Sequence, residues 1–138
     1  MILYLDTSSL VKLYVEEAGS AETREAVEEA QVVASSRIAY VETRAAFARK
    51  YRERGLTRTQ YRSTIQDLDQ DWANYLILDV SETLVKLAGS FTKSHALRAF
   101  DAVHLASAVA LQTRTGRDVT FSCFDTKLLS AARKEGLR

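Results

Sequence analysis

ILYLDTSS, residues 2–9, is the stretch from which the rest of the chain is read. Ile2, Leu3, Tyr4 and Leu5 form an apolar run of strand type, and Asp6 closes it, giving a short strand over 2–6. Thr7, Ser8 and Ser9 then open a helix with Leu10, Leu13 and Tyr14 on one face, ending near Gly19. Asp6 admits two compatible roles here. It can be the N-cap of that helix, or it can bind a cation, with the Ser8 hydroxyl two residues on orienting it or a water. A carboxylate at the edge of an apolar segment is costly to bury unless it is paired or holds a metal.

Outward from this unit, strand-like and helix-like segments alternate. A helix is predicted over about 20–30, and VVAS (32–35) is a second strand. The next helix runs over about 37–54 and stops at Gly55. Thr57 and Gln60 form a capping box that starts another, with Tyr61, Ile65, Leu68, Trp72 and Tyr75 as one apolar stripe. LILDV (76–80) is a third strand, and Ser81 caps a helix carrying Leu84, Leu87, Ala88 and Phe91. An alanine-rich helix over about 99–114 ends at Gly116. DVTFSC (118–123) is the last strand, and TKLLSAARKEG closes the chain with Gly136 as C-cap. Proline is absent, so glycines and capping residues must bound the helices. Strands separated by helices predict an α/β domain with a parallel sheet covered on both faces.

The 138 residues are expected to form a single domain, 1–138. The apolar share of 46% and charged share of 27% are those of an ordinary globular protein, with no apolar run near the roughly 18 residues a bilayer span needs. The N-terminus lacks a basic region and a small-residue cleavage site, so no signal peptide is expected. One cysteine, Cys123, leaves no internal disulfide and fits a reducing cytoplasm. With His95 and His104 the only histidines, a structural zinc site is not expected. A net charge of +1 requires any nucleic-acid contact to come from a local patch.

Four acids stand in equivalent surroundings. Besides Asp6 there are Glu42 in RIAYVETRAAF, Asp101 in LRAFDAVHLASAVAL, and Asp125 after TFSCF. Glu42 has Ile38 and Ala46 where helical partners would be, so it points to a site rather than to an ion pair. Asp101 lies in a helix otherwise small and apolar, where Asp is disfavoured; its competing reading is a pair with Arg98 at i−3. Asp125 alone reads as an N-cap. His104 is read as a hydrogen-bonded core residue. Together the acids suggest one oxygen-only pocket, which suits Mg²⁺ or Mn²⁺. Basic residues cluster at Arg37, Arg44, Arg49, Lys50, Arg52, Arg54, Arg58 and Arg62, a backbone-binding surface if the pocket handles a polyanion. Lys12, Lys93, Arg98 and Lys127 lie near acids in sequence.

On YLDTSSLVKLY, AYVETRAAF, LRAFDAVHLASA and FSCFDTKLLSAARKEGL, the whole chain resembles the PIN-domain ribonucleases, most closely VapC toxins of prokaryotic toxin–antitoxin pairs. The resemblance implies a three-layer α/β/α PIN-like domain with a short parallel sheet flanked by helices. It also implies a cytoplasmic endoribonuclease with Asp6, Glu42, Asp101 and Asp125 as catalytic residues and Ser8 supporting them. Asp6 and Asp101 would bind Mg²⁺, for which Mn²⁺ can substitute, leaving a 5′-phosphate and a 3′-hydroxyl. Lys12, Arg44, Arg49 and Arg98 are the candidate RNA contacts. A VapB-like antitoxin inserting a basic side chain into the pocket and a second copy in a homodimer are the expected partners, with no membrane. Cys123 departs from the family, which often has Thr or Ser there, so support for Asp125 is expected from Ser122 or water. A PIN nuclease serving RNA processing is the alternative. A receiver-like Mg²⁺-binding signalling domain is a distant one, because it needs two adjacent acids after the first strand.

Overall fold

Four parallel strands form the middle layer of a three-layer α/β/α fold, in the order 76–78, 32–36, 2–5, 119–122 across the sheet, and seven helices cover it. The computed structural model describes all residues, 1–138. In chain order the elements are β1 (Ile2–Leu5), α1 (Thr7–Lys12), α2 (Ser20–Glu29), β2 (Val32–Ser36), α3 (Arg37–Arg52), α4 (Arg58–Trp72), β3 (Leu76–Leu78), α5 (Glu82–Ser94), α6 (Ala99–Thr115), β4 (Val119–Ser122) and α7 (Thr126–Lys134). The first strand sits inside the sheet, between β2 (Ile2 opposite Val32) and β4 (Ile2 opposite Val119).

Alternation along β1 divides the core in two. Ile2 and Tyr4 face a layer built from α5, α6 and α7, with Leu84, Phe91, Leu105 and Leu128. Leu3 and Leu5 face a layer that includes α1, α3 and α4, with Leu10, Phe47 and Leu68. All four β1 residues are buried, the pattern of a strand covered on both sides.

Helix boundaries follow the caps. The Thr57–Gln60 box forms reciprocally, Ser81 accepts from Leu84 N–H, and Gly116 ends α6 in the left-handed region at φ +66°. The first helix is shorter than its apolar spacing suggested, ending at Lys12 instead of near Gly19. Its last turn tightens through Leu13 N–H to Leu10 O and Tyr14 N–H to Val11 O. The Ser20 hydroxyl then takes Glu17 N–H and donates to Val15 O, fixing residues 15–20 as a turn. Strand three also stops early, at Leu78; Asp79 instead ion-pairs with Arg37 at 2.8 Å.

The long stripe on α4 is used within the chain. Leu68 is fully buried, while Tyr61, Ile65, Trp72 and Tyr75 pack half-buried against the same core. Tyr14 bonds both Asp71 (2.8 Å) and the Tyr75 hydroxyl (2.7 Å), holding α4 and the residues after it against the turn that follows α1.

Candidate active site

Sites in parallel α/β sheets form beyond the carboxyl ends of the strands, and that is where the four acids meet. Asp6 directly follows β1, and its N–H donates to Ser122 O of β4 at 3.1 Å, which fixes it at the seam of those two strands. Glu42 comes from the second turn of α3, Asp101 from the first turn of α6, and Asp125 from the start of α7. All four line one cavity of about 250 Å³, together with Ser8, Arg98, His104 and Phe124.

Asp6 is 5% exposed and caps α1. The Ser8 hydroxyl (2.7 Å) and the Ser9 N–H (3.0 Å) both donate to Oδ1, and no hydrogen bond reaches Oδ2. Burial raises its carboxyl above the ordinary range, against the pull of those two donors. Asp6 is thus both cap and buried acid, without a cationic partner. Asp101 does form the competing pair with Arg98 (3.2 Å), yet Arg98 is 83% exposed and leaves Oδ1 unengaged. Asp125 caps α7 through Oδ1, which takes Leu128 N–H at 2.9 Å. The expected help from Ser122 is not found: its hydroxyl pairs with Ser9 at 2.8 Å, because alternate strand residues face opposite sides. The Cys123 thiol reaches only the Asp125 backbone carbonyl, at 3.5 Å.

Glu42 has a partner that no helical spacing could supply. His104 Nε2 lies 2.9 Å from Oε1, and the Thr7 hydroxyl donates to the same oxygen at 2.6 Å. Burial works the other way, but these bonds prevail and hold the Glu42 carboxyl below its usual range. His104 is 2% exposed, and its Nδ1 meets the hydroxyl of the fully buried Tyr4 at 2.8 Å. One tautomer satisfies the chain: Tyr4 O–H donates to Nδ1, and Nε2–H donates to Glu42. His104 is therefore hydrogen-bonded in the core, as its sequence setting suggested, but it also borders the cavity and holds one of its acids. The histidine three residues after Asp101 was the signal for this, since i and i+3 share a helix face.

The donor set is entirely oxygen, and it includes an unpartnered carboxylate oxygen of the buried residue Asp6, which fits a hard cation. No group of three or more His, Cys, Asp or Glu side chains is arranged to hold a metal ion. A cation here would draw on carboxylate oxygens and complete its shell with water. Mg²⁺ binds in that manner, keeping several waters.

The basic residues divide. Lys12 and Arg49 line a cavity of about 710 Å³, with Lys50 and Arg52, which shares Thr7 and Ser8 with the acidic cavity. Glu17 bridges Lys12 (3.0 Å) and Lys50 (3.3 Å) there. Arg98 borders the acids directly. Arg44 lines none of these cavities; it bonds the Tyr40 hydroxyl at 3.0 Å and lies over that ring.

The PIN domain family matches residues 3–134. The chain is 34% identical over 137 residues to Ribonuclease VapC45 of Mycobacterium tuberculosis (strain CDC 1551 / Oshkosh), spanning 99% of this chain and 93% of that one. It is equally similar to Ribonuclease VapC49 of M. tuberculosis (strain ATCC 25618 / H37Rv). The crystal structure of M. tuberculosis VapC20, a sarcin–ricin loop cleaving toxin, superposes with a TM-score of 0.69 at 16% identity over 94% of each chain, showing a shared fold.

Proposed function

This chain belongs to the PIN-domain family, as a ribonuclease of the VapC type, and we propose that it is the toxin of a toxin–antitoxin pair that hydrolyses RNA in its acidic cavity with Mg²⁺. The observation that carries the reading is the convergence of four carboxylates from four separate elements on one cavity, one of them buried without a cation. Asp6 and Asp101 are the residues that would hold Mg²⁺, each with an oxygen free of hydrogen bonds. When bound, the cation offsets charge on the scissile phosphate and acidifies an attacking water.

The remaining groups have distinct tasks in this reading. Ser8 orients Asp6 through Oδ1. Glu42, fixed at Oε1 by His104 and Thr7 and held ionised, accepts a water's proton at Oε2. Asp125, fixed through Oδ1, leaves Oδ2 to order water across the cavity. Arg98 swings over the rim to meet phosphate, and Lys12 and Arg49 carry the strand onward along the larger cavity. No side-chain nucleophile is required: in this reading water attacks the phosphorus, the P–O3′ bond breaks and the 3′-oxygen leaves with a proton, giving a 5′-phosphate and a 3′-hydroxyl.

The same reading includes a single domain acting in the cytoplasm; no helix is long and apolar enough to cross a membrane. It includes a VapB-like antitoxin that places an Arg or Lys among the acids, where bidentate pairing is available. It includes a homodimer, supported by the open groove between α3 and α4 where Val41 is 70% exposed beside Tyr40 and Trp72. The test is incubation with total RNA with and without Mg²⁺, with mapping of the cut ends. Cleavage requires Mg²⁺ and is lost in Asp6→Asn and Asp101→Asn. Wild-type rates in both variants refute the site. Unimpaired growth on strong expression of soluble protein without antitoxin refutes the toxin role and leaves RNA processing.

A further inference from the structure

Each of the two site acids nearest the C-terminus is preceded by phenylalanine: Phe100-Asp101 and Phe124-Asp125. Both rings are exposed, Phe100 by 57% and Phe124 by 47%. Phe124 lines the acidic cavity. Phe100 lines a neighbouring cavity of about 330 Å³ that shares Glu42, Arg98 and Asp101 with it. On the other side the acidic cavity shares Thr7 and Ser8 with the basic one, and the two outer cavities share no residue. The acids therefore lie in the middle of a track, with a ring on each side of the chemistry.

The exposed Phe124 ring is nonetheless fixed in place. Its backbone N–H donates to Ser8 Oγ at 3.4 Å, the same hydroxyl that orients Asp6. Lys12 Nζ stands 4.4 Å from the ring centroid, itself tethered by Glu17. The ring edge lies against the bare Cα of Gly19, at φ +94°, where a Cβ would come within 2.6 Å of Phe124 Cε1. An aromatic ring held open to solvent beside a cation, in a ribonuclease, has the chemistry of a base platform.

We propose that Phe100 and Phe124 are base platforms of this site, stacking the nucleobases on either side of the scissile phosphate. The proposal rests on the ribonuclease reading and adds to it the two residues that hold the bases of an unpaired strand. In a duplex each base is already stacked and paired, and no ring can reach its face. Stacking is also tolerant of base identity, so these rings select strandedness, and any sequence preference arises from other contacts. A protein partner would be served by a continuous apolar patch; here two separate rings flank carboxylates and cations.

The test uses the full chain carrying Asp6→Asn, so that binding is read without cleavage, with a fluorescein-labelled mixed-sequence 12-nucleotide RNA and Mg²⁺. Adding Phe100→Ala or Phe124→Ala is expected to weaken single-strand binding by about tenfold, and a Trp substitution at either position to preserve it. The same RNA annealed to its complement binds the parent and the Ala variants alike. In the Phe124→Trp protein, unlabelled single-stranded RNA quenches tryptophan emission, whereas in the parent the sole tryptophan, Trp72, which lines none of the three cavities of the track, does not respond. Circular dichroism melting checks that the variants fold; if an Ala variant does not, the tryptophan quenching decides. Unchanged affinity in the Ala variants, or emission from folded Phe124→Trp protein that RNA leaves unaltered, overturns the proposal. So does a change confined to protein assembly, seen as a shift in mass by light scattering, which would assign the rings to a protein partner. Failure of the ribonuclease reading is separate: the wild type then leaves total RNA uncut.

Discussion

Replacing Asp6 by Asn should stabilise the metal-free protein while abolishing its activity. Both hydrogen bonds to this side chain fall on Oδ1, so Asn keeps the Ser8 and Ser9 contacts and sets its NH₂ where the unpartnered oxygen was. What is lost is a buried charge, whose carboxyl burial already holds above its ordinary value. Asp6→Ala removes the same charge but also the N-cap, worth about 1 kcal/mol. At roughly 3–5 °C per kcal/mol for a chain of this size, Asn should melt about that far above Ala. The pH dependence has a definite sign. An acid with a raised folded pKa binds its proton more tightly when folded, so its ionisation costs nothing below the unfolded value and its full amount above the folded one. The advantage of Asn over wild type is therefore absent at the acid end, grows as pH rises from about 4, and is complete once pH passes the raised folded value. Thermal melts in EDTA from pH 3 to 8 measure it, and Mg²⁺ should raise wild type alone, closing the gap. Wild type melting above Asp6→Asn at pH 8 in EDTA would refute the account of Asp6 as a buried acid awaiting a cation.

Tyr4→Phe leaves His104 Nδ1 buried without its 2.8 Å partner and should cost about 1–3 kcal/mol in urea unfolding; a loss below about 0.5 kcal/mol contradicts the bond. Glu42, held below its ordinary value, contributes stability that is present above its unfolded pKa and lost as pH falls through the folded one. Glu42→Gln should flatten that acid-side decline in a melting series while stopping RNA cleavage. The Cys123 thiol is pushed up from 9.0 to about 12 by burial, which cuts its thiolate fraction about a thousandfold. Iodoacetamide at pH 8 should label it only after unfolding, and rapid labelling of folded protein would contradict its burial. Leu68→Ala, at a fully buried position in the layer under α4, should cost about 2–5 kcal/mol by denaturant titration.

The elements were legible in the chain wherever a local device sets them. The Thr57–Gln60 box, the Ser81 cap and the left-handed Gly116 need only neighbours in sequence, and each stands where its residues predict. The acids were legible because charge in an apolar context is unusual at any range. Less legible was everything set by distant residues. The first helix stops short because Ser20 captures the turn behind it. Glu42 looked unpartnered because its partners, Thr7 and His104, come from other elements. The α4 stripe was legible as a stripe, but not what covers it: Tyr14 and the core residues of α1 and α3 take up most of it. Arg98 was posed as an alternative to a site role for Asp101, and the structure shows that the pair and the placement coexist because Arg98 lies outside on the rim. Phe100 and Phe124 escaped notice because a lone exposed ring carries no local rule; only its repetition before an acid does.

The position of β1 also governs when the site can form. This strand lies inside the sheet, and one of its two neighbours, β4, lies over a hundred residues later, with Ile2 opposite Val119. A ribosome that has delivered Asp6 and Glu42 still lacks the strand that fixes Asp6 N–H through Ser122 O, as well as the helices bearing Asp101 and Asp125. Closing so long a loop is slow, and no earlier fragment holds the full set of acids. A nascent chain that has not yet delivered α7 therefore holds no complete site, however much of the sheet it has already built.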